Sequence, residues 1–346
     1  MLAGSEEELA DHPEAFIRTG GGVFANGRDP YFPPWPDVVQ LNAFSSELRD
    51  AVAETLIEVG SQCDGLRCDM AMLMTNEVFA RTWGERAGPA PEVDYWPELI
   101  GRVKAAHSDL LFMAEAYWDM EWTLQQQGFD LCYDKRLYDR LVHDGAESVL
   151  GHLRADDSYQ ERLIRFIENH DEPRAAATLE PAQGRAAAVV MSALEGARLY
   201  HDGQLDGLRT RIPVFLGRGP DEPVDADLHA FYARLIRAVA DSGLRTGDWQ
   251  LCGCSGWPDN ASWQQLLAWC WSSDAGRHLV VVNYAGAPAQ GRVHLPWPEL
   301  AGRDWELSDR LSGARFTRGG EGMAADGLYV ALGPWSYHFL AFAGRT

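Results

Sequence analysis

The stretch GLRCDMA, residues 65–71, decides how the rest of the chain is interpreted, because a short apolar run ends here in an arginine and an aspartate. Side chains at positions i and i+2 of a strand project from the same face, so Arg67 and Asp69 are predicted to lie side by side. Burying a carboxylate is costly unless it is paired, and we therefore expect the arginine to keep Asp69 ionised and to fix its direction. The pair suits a nucleophilic carboxylate, and it equally suits a structural ion pair that closes a strand.

Two later stretches repeat this pattern, LLFMAEAYW (residues 110–118) and FIENHDEPR (residues 166–174), and each begins as an apolar strand. The side chains at or just after the ends of these runs are Glu115, Tyr117, Trp118, His170 and Asp171. In parallel α/β barrels the C-terminal ends of the strands carry the active site, and the catalytic groups come from several strands. The three stretches together therefore favour a catalytic site over an isolated ion pair.

In this order, the three stretches resemble conserved regions II, III and IV of the α-amylase family, glycoside hydrolase family 13. The resemblance extends over most of residues 11–240 and includes PYFPPWPDVVQLN (residues 30–42), GFDLCYDKRLYDRL (residues 128–141) and ARLYHDGQLDG (residues 197–207). By motif, it implies that Asp69 is the nucleophile and Glu115 the general acid/base. It also implies that Asp171 is the carboxylate that holds the distorted sugar.

The resemblance further implies two binding residues. Arg67 would orient the nucleophile, and His170 would hydrogen-bond the sugar in the cleavage subsite, although a histidine in this position is also compatible with a purely structural loop. Tyr117 and Trp118 are interpreted either as a stacking wall for glucose rings or as core residues.

The chemistry of these residues agrees with the implied roles. Cleaving an acetal linkage with retention needs two carboxyl groups about 5–5.5 Å apart, one that attacks carbon and one that protonates the leaving oxygen. Asp69 and Glu115 fit these roles. Because Glu115 lies between Ala114 and Ala116 after an apolar strand, we expect desolvation to raise its pKa toward that of a general acid. Asp171 would offer a third negative charge to the oxocarbenium-like transition state.

Alternating strand and helix patterns predict an α/β fold between residues 45 and 240. Helices are predicted at residues 45–59, 95–107, 121–127, 135–153, 184–194 and 226–240, with an irregular segment from residue 70 to about 91. Strands are predicted at residues 64–69, 110–115 and 129–133, in a run ending at residue 170, and at residues 197–200. These elements form five strand–helix units, whereas a complete (β/α)8 TIM barrel needs eight.

Aligned by motif, the five units resemble the fourth to eighth of the family's barrel, so the predicted fold is a partial (β/α)8 TIM barrel, strands four to eight. Region I of the family, whose Asp and His line the same sugar subsite, would then be absent. Five parallel strands cannot close a barrel, and the two open edges would expose unpaired backbone groups. Either the gene starts upstream of Met1, or a partner, self-association through the open edges or a rearranged sheet covers the gap.

The predicted domains are a partial barrel catalytic domain at residues 1–243 and an all-β C-terminal sandwich domain at residues 244–346. Within the first, residues 1–44 are rich in glycine, proline and aromatic residues and are predicted to be a loop-rich segment that leads into the barrel. From residue 244 the composition shifts to short alternating runs that are typical of a β-sandwich. This part contains tryptophans at positions 249, 257, 263, 269, 271, 297, 305 and 335. Such residues are more often core residues, and the alternative is that they stack on sugar rings.

The charge balance excludes several partners. The chain has 51 acidic and 30 basic residues and a formal charge of −21, which repels nucleic acid and anionic membrane surfaces but leaves a neutral glucan unaffected. The acidic N-terminus has no apolar signal region, no run approaches 18 apolar residues, and the six cysteines are irregularly spaced, so a cytoplasmic protein is expected. Met72 and Leu73 stand where many family members have Lys-His near a calcium site. We therefore expect no calcium, no other metal and no cofactor.

The resulting hypothesis is a retaining α-glycosidase or transglycosylase that acts on α-glucans through a covalent glycosyl-aspartate intermediate. The sequence leaves open hydrolysis against transglycosylation, and α-1,4 against α-1,6 bonds. The alternative is an inactive or truncated family member that retains only glucan binding. A third interpretation, an unrelated α/β hydrolase with an acid–histidine pair at residues 170 and 171, lacks the serine elbow that this class requires.

Overall fold

The parallel strands predicted around Asp69 are present in the structure, a computed structural model that describes residues 1–213 and 215–344. The chain divides into two units, Met1–Tyr133 and Asp134–Thr346. Each unit contains part of the predicted set of parallel strands. The predicted domain boundary between residues 243 and 244 is a different division and stays a prediction.

The first unit begins with an antiparallel sheet and continues into alternating strands and helices. Its helices are α1 (Glu6–Asp11), α2 (Ser46–Gly60), α3 (Asn76–Trp83), α4 (Tyr95–Ala106) and α5 (Glu121–Gln126), with 3-10 turns at Ala71–Met74 and Gly84–Ala87. Its strands are β1 (Phe16–Thr19), β2 (Gly22–Gly27), β3 (Trp35–Val39), β4 (Gly65–Cys68), β5 (Leu111–Ala114) and β6 (Leu131–Tyr133).

Residues 1–44 were predicted to be a loop-rich segment, but they contain an antiparallel sheet. Strands β1, β2 and β3 form an antiparallel sheet in that order. The glycines at residues 20–22 lie at the turn between β1 and β2, and Gly22 has a φ of +127°, which side chains other than hydrogen rarely permit. The glycine run that indicates a loop in the sequence therefore marks a hairpin.

Strands β4, β5 and β6 are parallel and follow each other in chain order, as predicted. In the pairing of β4 with β5, Cys68 lies opposite Ala114, and these are the last residues of the two strands. Asp69 and Glu115 are the next residues of the chain. They consequently leave the sheet at the same level, at its C-terminal edge.

The segment that follows Asp69 is more regular than predicted, because it contains helix α3. The Oγ1 atom of Thr75 accepts a hydrogen bond from the N–H of Val78 at 3.4 Å and caps this helix. Val78 and Phe79 are buried. One face of α3 therefore packs into the interior of the first unit.

The second unit contains strand–helix repeats followed by two β-sheets. Its helices are α6 (Lys135–His143), α7 (Ala146–Leu153), α8 (Asp157–Gln160), α9 (Ala175–Thr178), α10 (Pro181–Ala193), α11 (Ala226–Asp241) and α12 (Gly320–Asp326), and α6 and α7 replace the single helix predicted at residues 135–153. Its strands are β7 (Leu163–Arg165), β8 (Ala197–Arg198), β9 (Asp248–Leu251), β10 (Cys254–Ser255), β11 (Leu266–Ser273), β12 (Gly276–Asn283), β13 (Ala289–Val293), β14 (Asp304–Asp309), β15 (Arg315–Gly319), β16 (Leu328–Leu332) and β17 (Tyr337–Gly344). Within the part of the chain that is described, no helix combines the length and apolar character needed to span a membrane.

Strands β7 and β8 are parallel, but β7 ends earlier than predicted. The sequence predicts a strand that continues to His170, whereas β7 ends at Arg165. The side chain of Asn169 contributes to this difference. Its Oδ1 atom accepts hydrogen bonds from the N–H groups of Asp171 at 2.9 Å and Glu172 at 2.8 Å, which bends the backbone into a turn.

The C-terminal strands form two antiparallel sheets, in the orders β15-β14-β17-β12-β11-β9 and β10-β13-β16. Strands β11 and β12 of the six-stranded sheet are buried on both faces along most of their length. Trp269 and Val280 belong to the core that includes helices α6, α7, α10 and α11, whereas Ala268 and Val281 belong to the core shared with the three-stranded sheet. Burial on both faces explains why β11 and β12 are almost continuously apolar.

Hydrogen bonds from aromatic side chains join the C-terminal sheet to the preceding helices. The indole N–H groups of Trp269 and Trp271 both donate to the carbonyl oxygen of Ala193, each at 2.9 Å. The hydroxyl of Tyr284 donates to the carbonyl oxygen of Leu141 at 2.5 Å. The second unit therefore has a core that continues from its helices into its larger sheet.

A buried ion cluster stabilises the beginning of the second unit. The Oδ1 atom of Asp134 accepts a hydrogen bond from the N–H of Leu137 at 3.0 Å and caps α6. Its Oδ2 atom lies 3.0 Å from Nε2 of His152 and accepts a hydrogen bond from Arg165. Arg165 also donates to Oε1 of Gln160 at 2.5 Å. Burial alone would raise the pKa of Asp134, but His152 and Arg165 hold it far below its usual range.

We expect Asp134→Ala to lower the free energy of unfolding by about 3–5 kcal/mol, because it leaves the buried guanidinium of Arg165 without its carboxylate partner. Asp139→Ala is the matched control, since the ion pair of Asp139 with Lys135 is partly exposed and contributes roughly 0.5 kcal/mol or less. Urea titrations of the unsubstituted chain and both variants measure the difference. Equal losses in the two variants would contradict a stabilising role for the cluster.

Candidate active site

One arginine contacts two carboxylates at the C-terminal edge of β4 and β5. Nη1 of Arg67 donates to Oδ1 of Asp69 at 2.5 Å, and Nη2 lies 2.9 Å from Oε1 of Glu115. The second contact is an ion pair that lacks the angles of a hydrogen bond. The guanidinium of Arg67 thus brings together two carboxylates, Asp69 from its own motif and Glu115 from the next motif.

The two carboxyl groups differ strongly in their exposure to solvent. Glu115 is enclosed, with 3% of its side chain exposed, whereas 79% of the Asp69 side chain is exposed. Oε2 of Glu115 accepts a hydrogen bond from the N–H of Met70 at 2.6 Å, and Oε1 is 3.4 Å from the hydroxyl of Tyr117, which donates to it. Asp69 is therefore accessible to a ligand from solvent, while Glu115 is fixed in place.

The enclosure of Glu115 raises its pKa to about 7. Burial is the largest cause because it penalises the charged carboxylate, and the negative charge of Asp69 acts in the same direction. The N–H of Met70 and the charge of Arg67 lower the pKa but do not cancel the effect of burial. Glu115 therefore holds a proton up to nearly neutral pH, as the flanking alanines led us to expect.

Arg67 remains charged in this site. Burial alone would lower its pKa, but the charge of Glu115 and hydrogen bonds to Asp69 and Tyr133 raise the pKa above its ordinary value. The guanidinium carbon also lies over the ring of Tyr133, 5.6 Å from its centre, in a cation–π contact. Tyr133 ends β6 and lies in the family-like segment 128–141, but the sequence did not mark it as part of the site.

The backbone after Glu115 positions an aromatic pair. Trp118 and Asp119 both have left-handed conformations, with φ values of 57° and 61°, which are uncommon for residues other than glycine. The ring of Trp118 meets that of Tyr31 edge-on, with centroids 4.9 Å apart and planes at 75°. Tyr117 and Trp118 are only partly buried, and Tyr31 is 60% exposed. These rings are open to a ligand, and Tyr31 is a candidate that the sequence analysis missed.

His170 and Asp171 lie in the second unit and contact each other. Nε2 of His170 is 2.9 Å from Oδ2 of Asp171, and the two side chains are 42% and 38% exposed. The turn at Asn169 holds the backbone of Asp171 through a hydrogen bond of 2.9 Å. The pair therefore combines a fixed backbone with side chains that face solvent.

A buried carboxylate beside this pair was also missed from the sequence. Glu168 is 1% exposed and accepts hydrogen bonds from Arg174 and from the N–H of Ala175, both at 2.7 Å. Nδ1 of His201 is 3.2 Å from the same carboxylate. The opposite charges of Glu168 and Arg174 within one motif were the available signal. These contacts indicate that Glu168 stabilises the loop.

The segment after Asp69 offers no set of metal ligands. Met72 is fully buried, and Leu73 follows it. Among the described residues, no three His, Cys, Asp or Glu side chains are arranged as a metal site. The candidate site consists of carboxylates, an arginine and aromatic rings.

Sequence comparison finds a similar protein in the α-amylase MalA of Haloarcula japonica. The two sequences are 25% identical over 301 residues, which cover 84% of this chain and 40% of MalA. The chain thus spans less than half the length of the curated relative it matches. No protein-family model matches the chain.

Solved α-amylase structures share the fold. The maltogenic α-amylase AmyB of Thermotoga neapolitana has a TM-score of 0.67 at 17% identity, covering 98% of this chain and 74% of that one. An Anoxybacillus α-amylase has a TM-score of 0.69 at 14% identity, covering 98% of this chain and 73% of that one. A Nostoc punctiforme debranching enzyme has a TM-score of 0.64 at 17% identity, covering 96% of this chain and 71% of that one. The predicted resemblance to the α-amylase family is confirmed. The predicted fold class, a partial (β/α) barrel followed by an all-β region, is confirmed as well.

The buried carboxyl of Glu115 should make stability depend on pH. Because its pKa is raised from 4.5 to about 7, its stabilising proton is fully bound below about pH 4.5 and is lost as the pH rises through 7. We expect this loss to cost about 2.5 kcal/mol of unfolding free energy between pH 5 and pH 8, and Glu115→Gln to remove that dependence. Urea unfolding at both pH values measures it, with the exposed Glu58→Gln as control. Parallel pH profiles for the three chains would refute the raised pKa.

Proposed function

We propose that this chain, which is similar to α-amylases in sequence and fold, is a retaining glycosidase or transglycosylase that acts on α-glucans. One observation carries the proposal. Arg67 holds an exposed carboxylate, Asp69, beside a buried carboxyl, Glu115, whose pKa is raised to about 7. A nucleophile and a general acid have these opposite requirements, since one must be ionised and accessible and the other protonated.

In the first step, an oxygen of Asp69 attacks the anomeric carbon while Glu115 gives its proton to the departing glycosidic oxygen. The C–O bond to the leaving sugar breaks, and a covalent glycosyl-aspartate forms. In the second step, Glu115, now ionised, takes a proton from water or from a sugar hydroxyl. That oxygen attacks the same carbon and releases Asp69, so the configuration is retained.

Arg67 supports both steps through its position between the carboxylates. Its Nη1 donates a hydrogen bond to Oδ1 of Asp69 and so orients the attacking carboxylate. After proton transfer, the carboxylate of Glu115 is negative, and Nη2 of Arg67 at 2.9 Å stabilises it. The hydrogen bond from the N–H of Met70 acts on the same carboxylate. Both contacts are already in place before the reaction, so little reorganisation is needed.

Four further residues complete the proposal as sugar-binding groups. By motif, Asp171 would hold the distorted sugar and His170 would hydrogen-bond it. Tyr117 and Trp118 would form the stacking wall, and their partial exposure supports this role over core packing. Tyr31 extends the wall, because it packs against Trp118.

We also propose a cytoplasmic location, supported by six cysteines that are all free thiols. The charge of −21 supports a neutral substrate over nucleic acid or an anionic membrane. Among the described residues, β4 pairs only with β5 and β8 only with β7, so each leaves an unpaired edge. Self-association through these edges is part of the proposal, and the mass of the chain in solution tests it.

The proposed roles predict large losses of activity in two variants. On a nitrophenyl maltoheptaoside, Glu115→Gln should lower kcat by about 10²- to 10⁴-fold, because it removes the proton donor, and Asp69→Asn should abolish turnover because it removes the nucleophile. Asp64→Asn and Asp109→Asn are matched controls, since these exposed aspartates precede β4 and β5 at the opposite ends of the strands. Full rates in the first two variants would overturn the assignment. A folded chain that binds the glucan without turnover would identify an inactive relative.

The pKa of Glu115 predicts how the rate depends on pH. The general acid must be protonated, so kcat/KM should fall about tenfold per pH unit above about pH 7, where Glu115 loses its proton. This fall in kcat/KM, the descending limb of the pH profile, should disappear in Glu115→Gln, because the glutamine side chain has no carboxyl proton to lose. Initial rates from pH 5 to pH 9 measure both chains. A descending limb that persists in the variant would assign it to another group.

A further inference from the structure

An exposed aromatic pair, Tyr329 on β16 and Trp257 in the turn after β10, lies at the three-stranded C-terminal sheet and shares no residue with the candidate active site. Trp257 is 39% exposed and Tyr329 is 46% exposed. Their ring centroids are 6.4 Å apart and their planes differ by 32°, so neither ring stands edge-on to the other. We call this pair the Trp257–Tyr329 platform.

The platform is held in a fixed position. Trp257 begins a tight turn that the N–H of Asn260 closes by donating to the carbonyl oxygen of Trp257 at 2.8 Å. The side chain of Asn260 donates to the carbonyl oxygen of Gln290 on β13 at 2.8 Å. The hydroxyl of Tyr329 donates to Oε1 of Gln290 at 2.8 Å. Gln290 therefore holds the side chain of Tyr329 directly and the backbone turn of Trp257 through Asn260, which reduces the entropy that ligand binding would cost.

The surroundings of the platform are polar and carry charges of both signs, with the exposed Asp259 in the turn after Trp257. Tyr329 pairs across the sheet with Arg292, and Arg292 pairs with Ser255. Arg292 lies 3.7 Å from Asp326, which balances its charge. The hydroxyl of Ser255 is hydrogen-bonded to His294 at 2.7 Å. Two apolar ring faces in this setting match a neutral ligand that is apolar on one face and carries hydroxyl groups around its rim.

We propose that the Trp257–Tyr329 platform is a second glucan-binding site, which holds an α-glucan chain with sugar rings stacked on the two aromatic rings. A hexose has the required shape, since its C–H groups form an apolar face and its hydroxyls reach polar neighbours such as Gln290. The total charge of −21 opposes the binding of an anionic polymer. The choice of an α-glucan rests on the proposed function of the chain, whereas the choice of a sugar rests on the platform itself.

The test is affinity electrophoresis in native gels that contain amylopectin, hydroxyethyl cellulose or no polysaccharide. The chain carries Asp69→Asn, so that turnover cannot degrade the gel. In this background, Trp257→Ala with Tyr329→Ala removes both rings, and Trp257→Phe with Tyr329→Phe retains an aromatic ring at each position without the hydroxyl contact to Gln290. Thermal unfolding confirms that each variant is folded. Where the double alanine variant does not fold, the two single alanine variants replace it.

Amylopectin should retard the parent, and the alanine pair should raise the dissociation constant at least about tenfold, while the phenylalanine pair stays within about threefold. The single alanine variants should each raise it at least about threefold. Equal retardation of the alanine and phenylalanine pairs, or no retardation of the parent, overturns the proposal. Equal retardation by hydroxyethyl cellulose overturns the assignment to an α-glucan. Because no step requires turnover, a chain without hydrolytic activity can still support the platform, and the two proposals fail independently.

Discussion

A single guanidinium has to compensate two carboxylates in very different surroundings. Asp69 is largely in water, but Glu115 is enclosed, and enclosing a charged carboxylate costs several kcal/mol unless a cation offsets it. Arg67 offsets only part of this cost, because the pKa of Glu115 is still raised to about 7. The incomplete compensation is what suits Glu115 to the proposed role of general acid. A fully compensated Glu115 would be ionised near neutral pH and would have no proton to donate.

The parallel pairing of β4 and β5 establishes this geometry through the backbone. The N–H of Glu115 donates to the carbonyl oxygen of Cys68 at 3.0 Å, and the N–H of Ala71 donates to the carbonyl oxygen of Glu115 at 3.2 Å. These bonds continue the ladder beyond the ends of the strands, so the register is fixed where Asp69 and Glu115 leave the sheet. A shift of one residue would turn Glu115 to the other face and away from Arg67. The two carboxyl groups therefore depend on the strand pairing as much as on each other.

The charged residues of the site could be predicted because acidic side chains at the ends of apolar strands leave a clear pattern. The enclosure of Glu115 followed from its small apolar neighbours. The N–H of Met70 could not be predicted as its partner, since every residue except proline offers the same group. Tyr31 and Tyr133 reach the site through tertiary folding, which leaves no local signal. The sheet within residues 1–44 could not be predicted for a different reason, since glycines are typical both of hairpin turns and of irregular loops.

The tryptophans of the C-terminal region occupy two kinds of position, in the buried core and at the surface. Trp269 and Trp271 are buried, and both donate to one carbonyl oxygen of α10, so they stabilise the core of the second unit. Trp257 lies instead in the polar, turn-rich stretch GCSGWPDN (residues 253–260), and it stands beside Tyr329 with its ring partly in water. The difference arises because β11 is buried along most of its length, whereas β16 alternates buried and exposed residues and so presents Tyr329 to solvent beside the turn that carries Trp257. An exposed, anchored ring contributes less to folding than a buried one. Folding alone therefore accounts poorly for this pair, and a ligand that covers both rings accounts for it better.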